Sequence, residues 1–394
     1  MTRILFVYHA TNVGGGSYCL LNLLKAIDCM AFEPVVLLPG RGPLCDEIDK
    51  LGIKQVFFPK LKLYPYNKSL WSIKVLRRLL SVHRCQKGFA GILSQVKPDI
   101  VYFNTMMLFP YLQTAKEQGC KTVLHVREHW PLDEHKKQLE RARRFVYAYA
   151  DKLIAINRYS ASIFPQKEAT IVYDWIDMEA RRGGPTIGEV LGEEKKGKKV
   201  FLFTGGIDPI KGTTEVLSVF SQYVIGDDKR LLAMGVETEM RWIGIRGHIK
   251  RILSIIGYKT YQEKVIALCK KDKRIKPYPA IYNITNILEK ADGFVSYFVI
   301  PHANLALAES IILKTPAIAS LTDESLEYSN EGDLALLYEF GNMTSFKDAF
   351  IAIDNNCDAL KTKLQERAFG LSEKFSSKRN SAVFNEALKT MIID

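Results

Sequence analysis

The sequence is short of several features that define common protein classes. Its seven cysteines are scattered, odd in number and without a C-x-x-C pair, which argues against a disulfide framework and a zinc knuckle. No apolar run approaches the roughly 18 residues needed to span a bilayer. The chain enters a strand-like segment at Arg3–Tyr8 without a cationic leader and an apolar region, so we expect no targeting segment and a reducing, cytoplasmic location.

Acidic residues are absent from one stretch and scarce in another. Residues 60–90 contain eight Lys and Arg and no Asp or Glu, and residues 241–276 contain eleven basic side chains against two acids. These stretches carry +8 and +9, so the formal charge of +12 leaves −5 for the rest of the chain. Two basic patches on a mildly acidic protein predict an anionic partner, such as nucleic acid, a phosphate-bearing ligand or an acidic membrane surface.

The remaining composition is that of a folded protein of two-domain size. The chain has 394 residues, of which 47% are hydrophobic, enough to build packed cores. Short runs rich in Val, Ile and Phe alternate with helix-length segments, which predicts parallel sheets covered by helices on both faces. The predicted strands are Arg3–Tyr8, Pro34–Leu38, Lys54–Phe58, Ile100–Phe103, Lys121–Val126, Lys152–Ile156, Thr170–Tyr173, Lys199–Thr204, Arg230–Met234, Gly293–Val299, Pro316–Ala319 and Leu334–Tyr338.

A glycine-rich, charged segment at residues 181–198 interrupts this alternation and is the predicted linker. We therefore predict an α/β fold of two doubly wound, Rossmann-like domains at residues 1–180 and 199–375, facing each other across a cleft. Residues 376–394 would form a C-terminal helix that packs back on the first domain. Ligands of such sheets bind at the carboxyl ends of the strands, so the cleft is the expected site.

Two glycine-rich loops open the two domains. Gly14–Ser17 follows the first strand and precedes a helix, whose N-terminus offers N–H groups to an anion. A dinucleotide fingerprint would need glycine at Cys19, and a Walker loop would need a Lys-Ser or Lys-Thr pair that is absent, so the glycines could equally make a tight turn. Gly205–Gly212 follows the first strand of the second domain, and its Lys211 could meet a diphosphate or remain a solvated surface lysine.

Two further motifs place ionisable groups where chemistry is expected. Glu309 lies within the otherwise apolar helical segment Leu305–Leu313, where a carboxylate is costly unless it is paired or liganded; the alternative is a helix-surface glutamate. His125 and Glu128 lie at the end of a strand in the segment His125–Trp130. A lone histidine is more often structural, but titratable groups clustered at a strand end favour a functional site.

Taken in order, these four motifs resemble the family-four retaining glycosyltransferases of the GT-B fold, along nearly the whole chain. The segments Ile287–Tyr297 and Thr315–Ser320 strengthen the resemblance. It implies an enzyme that moves a sugar from a nucleotide diphosphate sugar to a hydroxyl acceptor with retention of configuration and without a metal or other cofactor. The first domain would bind the acceptor, and the second would bind the donor.

The resemblance also implies roles for single residues. The catalytic residues would be His125, Glu128 and Lys211, with His125 beside the transferred sugar or the acceptor and Lys211 neutralising the diphosphate. Donor contacts would come from two N-terminal glycines, from the second glycine loop, from a segment near the base and from the helix that carries the glutamate. These residues are Gly15, Gly16, Gly206, Lys211, Tyr278, Ile281, Leu305, Ala306 and Glu309.

The sequence departs from the family pattern at two positions. Gly206 occupies the place of the usual arginine in the Lys-Gly loop, and Pro301 occupies the place of the first of two glutamates spaced eight residues apart. The first departure shifts diphosphate binding onto Lys211 or a basic group from elsewhere. The second removes the glutamate that normally contacts the donor sugar, so the sugar's identity and the strength of catalysis are open.

The two basic stretches also suggest contact with a membrane surface. Residues 68–84 predict an amphipathic helix, and residues 241–259 have the same character. These helices could pack with solvated basic faces, or could meet anionic lipid headgroups or a lipid-linked or polysaccharide acceptor at the inner face of the cell membrane. The residues of this predicted patch are Trp71, Lys74, Arg77, Arg78, Arg246, Lys250 and Arg251.

Rival functions fit less of the sequence. A nucleic-acid-binding protein would explain the basic patches, but not Glu309 or the Lys-Gly loop, and no recognised nucleic-acid motif is present, so we expect no nucleic-acid partner. A dinucleotide oxidoreductase would fit the fold class without its fingerprint. A non-catalytic protein that keeps the nucleotide-sugar fold would bind a nucleotide sugar weakly or not at all.

Overall fold

The computed structural model describes residues 1–65, 72–132, 134–176, 184–239, 259–281 and 283–393. The chain forms two compact units. The first comprises residues 1–175 together with 374–394, and the second comprises residues 176–373. Each unit is built around one parallel sheet with helices between consecutive strands, which confirms the predicted α/β class with two doubly wound units.

The first unit contains a seven-stranded parallel sheet in the order β3-β2-β1-β4-β5-β6-β7. The strand order reverses between β1 and β4, the position at which doubly wound sheets open a crevice at their carboxyl edge. The strands are β1 (Thr2–Val7), β2 (Phe32–Leu38), β3 (Lys54–Phe57), β4 (Ile100–Phe103), β5 (Lys121–Val126), β6 (Lys152–Ala155) and β7 (Ala169–Ile171).

Both faces of this sheet are buried, as its apolar sequence predicts. Alternate residues of β1 enter two different clusters: Leu5 and Val7 pack on one face, Ile4 and Phe6 on the other. The connecting helices are α1 (Gly15–Ala26), α2 (Pro43–Asp49), α3 (Ile73–Val96), α4 (Leu112–Glu117), α5 (Lys136–Tyr149) and α6 (Arg158–Ser162), with a 3-10 helix at Met106–Tyr111 before α4.

The second unit contains a six-stranded parallel sheet in the order β10-β9-β8-β11-β12-β13. The strands are β8 (Lys199–Phe203), β9 (Lys229–Met234), β10 (Ile275–Tyr278), β11 (Gly293–Val295), β12 (Ala317–Ser320) and β13 (Leu336–Tyr338). The helices are α7 (Ile187–Leu191), α8 (Thr213–Tyr223), α9 (Tyr261–Lys271), α10 (Thr285–Lys290), α11 (Leu305–Ile312), α12 (Asp323–Tyr328), α13 (Met343–Arg367) and α14 (Phe369–Lys374). The segment predicted as a linker contains α7, whose Thr186–Glu189 capping box explains why it folds as a helix.

The last helix, α15 (Ser377–Ile393), belongs to the first unit. Its Phe384 is buried and meets the Tyr102 ring edge-on, with centroids 6.0 Å apart. Its Asn385 amide donates to the Ala26 carbonyl at 2.7 Å and accepts from the Asp28 N–H at 2.8 Å. The end of the chain therefore completes the core face that α1 covers.

Candidate functional site

Three polar side chains lie in one row at the carboxyl edge of the first sheet. The pairing of β1, β4 and β5 brings Val7, Phe103 and Leu124 into register, so the next residues, Tyr8, Asn104 and His125, follow as neighbours on three adjacent strands. Successive residues of a strand point to opposite faces, so all three point to the face opposite Val7 and Phe103. All three side chains are buried at the carboxyl edge of the sheet.

The N-terminal glycine turn closes onto the end of β1. Gly14 is the N-cap of α1, and Gly15 and Gly16 are its first residues. A Cβ on Gly16 would lie 3.0 Å from the Tyr8 hydroxyl, whereas Gly15 faces open space. The Ser17 hydroxyl donates to the Asn12 carbonyl at 2.6 Å and lies 3.3 Å from the Tyr8 hydroxyl. The turn thus presents the first amides of a twelve-residue helix beside open space, as an anion site requires.

His125 is buried, and one of its two ring nitrogens has hydrogen-bond partners. The Tyr102 hydroxyl lies 2.7 Å from its Nδ1, and an Arg127 guanidinium nitrogen lies 3.5 Å from the same atom. Burial, with a contribution from the Arg127 charge, holds the pKa of His125 well below its usual range. Because the guanidinium can only donate, we assign Nδ1 as an acceptor and place the proton on Nε2. Nε2 has no hydrogen-bond partner among the described residues.

Arg127 forms the main ion pair of this edge. One of its guanidinium nitrogens contacts the two Asp174 carboxylate oxygens at 2.6 and 2.5 Å, and both side chains are largely buried. Burial would lower the pKa of Arg127, but Asp174 outweighs it and the pKa is raised. No role for Arg127 was predicted from the sequence. Its position two residues after His125, on the same side of an extended chain, was the signal available.

Glu128 is held by the chain itself. Its carboxylate accepts hydrogen bonds from the Thr105 hydroxyl, from the Met106 N–H at 2.9 Å and from the Arg127 N–H at 3.1 Å. Burial raises the pKa of Glu128 against the lowering effect of these donors. The carboxylate that the sequence predicted to be catalytic therefore anchors the start of the 3-10 helix after β4.

In the second unit, glycines let three loops meet at the carboxyl edge of the sheet. Gly206 and Gly235 both have positive φ angles, of 64° and 77°. A Cβ on Gly235 would lie 2.9 Å from the Gly206 Cα, and one on Gly212 would overlap the Tyr297 ring. Only glycine allows this close approach of backbone segments. The glycine at position 206, unexpected in the family pattern, is favoured there by its left-handed backbone conformation.

Lys211 ends a short 3-10 helix, Pro209–Lys211, that Asp208 caps. The Thr213 hydroxyl donates to the Gly206 carbonyl at 2.7 Å, and the Val299 N–H donates to the Ile210 carbonyl at 2.8 Å. These bonds fix the Lys211 loop against the loop that follows β11. Lys211 is partly exposed and forms no ion pair within the part of the chain that the structure describes.

Helix α11 begins at the same edge. Leu305 and Ala306 are its first residues, and the preceding Asn304 amide donates to the Ser296 hydroxyl at 2.8 Å instead of capping the helix. The first-turn amides at Leu305 and Ala306 are therefore not covered by an N-cap side chain. Glu309 lies one turn further and is only 3% exposed, which excludes the simple helix-surface alternative.

Tyr278 ends β10, and its carbonyl accepts from the Gly235 and Val236 N–H groups at 2.8 and 3.1 Å. Tyr278 and Ile281 are both partly exposed. The structure therefore brings the predicted donor residues of the second unit, Gly206, Lys211, Tyr278, Leu305 and Ala306, to one sheet edge.

The first basic stretch forms a longer helix than the sequence predicted. Helix α3 spans Ile73–Val96, not residues 68–84, because its apolar stripe continues to Val96. Within the apolar arc of this helix, Val75 and Val82 are buried, whereas Ile73, Leu76 and Leu80 are 69%, 54% and 52% exposed.

Two arginines of this stretch differ in their contacts. Both arginines, Arg77 and Arg78, are exposed. The Arg78 Nε donates a hydrogen bond to the Leu63 carbonyl at 3.0 Å. The rest of the predicted patch, which is Trp71, the Lys74 side chain, Arg246, Lys250 and Arg251, lies outside the described residues.

The described residues include neither a metal-binding cluster nor a membrane-spanning helix. No group of three or more His, Cys, Asp or Glu side chains in these ranges could hold a metal ion. None of the helices in the same ranges combines the length and the apolar character that a bilayer crossing demands.

Comparison with known proteins gives one family match and many similar folds. Residues 14–169 match the family model of the glycosyl transferase 4-like domain. HepE from Anabaena, crystallised in complex with UDP-glucose, is 16% identical with a TM-score of 0.72 and covers 99% of this chain and 100% of its own. A glycosyltransferase from Rickettsia africae is 17% identical with a TM-score of 0.68, covering 98% of this chain and 99% of its own.

A third structure, the lipopolysaccharide outer core galactosyltransferase WaaB, is 15% identical with a TM-score of 0.61 and covers 99% of both chains. No curated protein matches the sequence. At these identities the solved structures show a shared fold, and this fold is the GT-B fold that the sequence predicted.

Proposed function

We propose that this chain, a GT-B protein whose residues 14–169 form a glycosyl transferase 4-like domain, transfers a sugar from a nucleotide diphosphate sugar to a hydroxyl acceptor. The observation that carries the proposal is the sheet edge of the second unit. There, glycine-lined backbone, the partly exposed Lys211 and the uncapped start of α11 lie together, with Glu309 buried one turn further. HepE was crystallised with UDP-glucose, which makes a UDP-sugar the first donor to test.

The proposed chemistry breaks the bond between the anomeric carbon and the diphosphate oxygen and forms a bond to the acceptor oxygen on the same face of the sugar. The acceptor proton passes to the leaving diphosphate, and the proposal includes no metal or other cofactor. Lys211 and the amides of Leu305 and Ala306 stabilise the negative charge that develops on the diphosphate. Glu309 accepts hydrogen bonds from the ribose hydroxyls, and Tyr278 and Ile281 border the base.

In the first unit, His125 acts as a neutral hydrogen-bond donor through Nε2 to a sugar or acceptor hydroxyl. The geometry supports this role, because Tyr102 and Arg127 occupy the side of Nδ1. Gly15 and Gly16 offer backbone to the donor. Glu128 and the Arg127–Asp174 pair are positioning residues, because each is engaged by the chain itself.

The test is thermal stabilisation by a panel of UDP-, GDP- and ADP-sugars. A ligand that binds only the folded state stabilises it by about 2.7 kcal/mol at 100 times its Kd. We expect a shift with UDP-sugars that Lys211→Ala and Glu309→Gln reduce strongly. Lys270→Ala, an exposed lysine at the end of α9, is the control and should keep the shift. If no nucleotide sugar shifts the wild type, the proposed function is wrong.

The acceptor and the location form the finer part of the proposal. We propose a glycan or lipid-linked acceptor at an anionic, cytoplasmic membrane face, since α3 exposes apolar and basic side chains together. Flotation with anionic vesicles tests it. Unchanged binding after replacement of Arg77, Arg78, Lys250 and Arg251 by glutamate would contradict membrane association.

A further inference from the structure

Four large apolar side chains are exposed at the carboxyl edge of the second sheet. They are Ile210, Val299, Ile300 and Leu321, and each is between 38% and 49% exposed. Ile210 lies in the Lys211 loop, and the other three follow β11 and β12. Single exposed apolar residues are ordinary, but a group of them at a ligand-binding edge indicates a binding surface. These four side chains are the apolar edge.

The loops that carry the apolar edge are neighbours. The Val299 N–H donates to the Ile210 carbonyl at 2.8 Å, which joins the loop after β11 to the loop after β8. On the other side, β11 pairs with β12, and the Ser296 N–H donates to the Ile318 carbonyl at 3.0 Å. Val299 and Leu321 each lie three residues beyond this bond. The four side chains therefore come from three adjacent loops.

The segment that follows β11 offers few hydrogen-bonding groups. Residues 298–301 are Phe, Val, Ile and Pro, so none of them carries a hydroxyl, amide or carboxyl side chain. Pro301 also has no backbone N–H, and the N–H of Val299 is already bonded to Ile210. A sugar hydroxyl that loses water here without a new partner is at a disadvantage. The segment therefore favours an apolar group over a hydroxyl.

The same segment is anchored by buried neighbours. The Tyr297 ring stacks on the Tyr338 ring with centroids 5.7 Å apart, and the Phe346 ring lies 5.0 Å from Tyr297. The Ser296 hydroxyl accepts from the Asn304 amide at 2.8 Å, which ties the end of β11 to the residue before α11. These contacts hold the intervening loop in place at both ends.

The order of the strands places the apolar edge where a donor sugar would lie. The order runs from β10 through β9, β8 and β11 to β12. β10 ends at Tyr278, which is proposed to border the base, and β12 leads to Leu321. Between them, the loops after β8 and β11 lead to the proposed diphosphate contacts, Lys211 and Leu305. Because base, diphosphate and sugar are joined in that order, the sugar follows the diphosphate toward the apolar edge.

We propose that the apolar edge selects a nucleotide diphosphate 6-deoxyhexose, whose methyl group packs against Val299 and Ile300. The assignment rests on the proposed glycosyltransferase function and names its class of donor sugar. A 6-deoxyhexose carries a methyl group where an ordinary hexose carries a hydroxymethyl group, and it keeps its ring hydroxyls. An acetamido sugar also carries a methyl group, but its amide N–H and C=O need partners that residues 298–301 do not supply. Pro301, in the place of the family's sugar-contacting glutamate, agrees with a less polar sugar.

Calorimetric titration with matched nucleotide sugars tests the proposal. The pairs are UDP-glucose with UDP-6-deoxyglucose, UDP-galactose with UDP-6-deoxygalactose, and GDP-mannose with GDP-6-deoxymannose, and the two members of a pair differ by one oxygen atom. We expect the 6-deoxy member of at least one pair to bind about fourfold more tightly, the effect of moving one methyl-sized group from water to an apolar surface. UDP and GDP without a sugar report on the rest of the site.

Three variants locate the preference. Ile300→Thr keeps a branched side chain but adds a hydroxyl, and should reduce the preference to less than twofold. Pro301→Glu should reverse it, because a carboxylate accepts a hydrogen bond from the 6-hydroxyl of the parent sugar. Ile225→Thr changes an exposed isoleucine that precedes β9, at the opposite edge of the sheet, and should keep the wild-type preference. Free UDP and GDP should bind to all four proteins alike.

Equal binding of both members of every pair would overturn the proposal, as would an equal loss of preference in Ile300→Thr and Ile225→Thr. Weaker binding of free UDP or GDP by Ile300→Thr, in proportion to the sugars, would also overturn it and assign the apolar edge to the fold of the loop. In each of these cases nucleotide sugars still bind, so the proposed function stands. If no nucleotide sugar binds to the wild type, the proposed function and the sugar class both fail.

Discussion

The carboxyl edges of the two sheets differ in the groups that form them. In the first unit the edge is a network of buried side chains, with Tyr102, His125, Arg127 and Asp174 in contact. In the second unit it is mainly backbone, with glycine loops in close contact and the partly exposed Lys211 beside them. Under the proposed function, the first edge would orient neutral hydroxyl groups, and the second would bind the donor diphosphate through amides and Lys211. We therefore expect the first edge to be most sensitive to removal of a buried charge, and the second to addition of a side chain at a glycine.

The largest effect is expected from breaking the buried ion pair of the first edge. Asp174→Asn leaves the Arg127 charge without its partner in a largely buried position. Removing one member of such a pair costs about 3–5 kcal/mol, because the remaining charge stays desolvated. Urea unfolding should therefore show a large loss of stability.

Glu47→Gln provides the control, since its partner Lys50 is exposed and water screens a surface ion pair so that it contributes little to stability. The double variant Arg127→Met/Asp174→Leu should recover part of the loss. Equal stability of Asp174→Asn and the wild type would show that the network does not hold this edge.

A smaller effect is expected from a side chain at the backbone-built edge. Gly212 has a φ of 54°, and a Cβ there would overlap the Tyr297 ring. Gly212→Ala should therefore destabilise the second unit by about 2 kcal/mol, from left-handed strain of about 1–2 kcal/mol together with the overlap. It should also displace Lys211 and weaken UDP-sugar binding.

Gly370→Ala is the matched control, because it lies in α14 with open space around its Cβ. Its stability should be unchanged or slightly higher, as alanine is the better helix former. A Gly212→Ala protein as stable as Gly370→Ala would show that the loop tolerates a different path.

Much of the fold was predictable because buried parallel strands are continuous apolar runs. All seven strands of the first sheet were predicted to within a few residues, since most of them are rich in Val, Ile, Leu or Phe. Strand β10 was missed because its sequence, Ile275–Tyr278, includes a lysine and a proline, which an edge strand tolerates but a buried one does not. Its place at the edge of the sheet is set by pairing with β9, which no local pattern encodes.

The candidate site was predictable in its positions but not in its partners. Gly206, Lys211 and Leu305 come to one edge because parallel strands end there. The Arg127–Asp174 pair joins residues 47 positions apart in the sequence. The hydrogen bond from the Met106 N–H to the Glu128 carboxylate depends on the conformation of a different loop, the one after β4. In α3, helical periodicity identified an amphipathic helix, but its apolar arc was wider than the buried stripe, so Leu76 and Leu80 remained exposed.

The smallest effect is a pH dependence of stability, to which His125 contributes and which a His125 variant isolates by difference. Its pKa is well below its usual range in the folded state, because burial and the Arg127 charge oppose protonation. Below the unfolded pKa of about 6.5, the unfolded chain binds a proton that the folded chain does not. Stability should therefore fall as the pH drops from 6.5 to 5, with a slope that approaches 1.4 kcal/mol per pH unit.

The raised pKa of Glu128 acts in the opposite direction, because a proton retained by the folded state makes stability fall as pH rises. Comparison of the wild type with His125→Asn removes this and every other shared contribution. Urea unfolding at several pH values should show a steeper rise of stability with pH in the wild type between pH 5 and 6.5. If His125→Asn has the same slope, the ring accepts a proton in the folded state, Nδ1 is not the acceptor, and the neutral-donor role assigned to Nε2 fails.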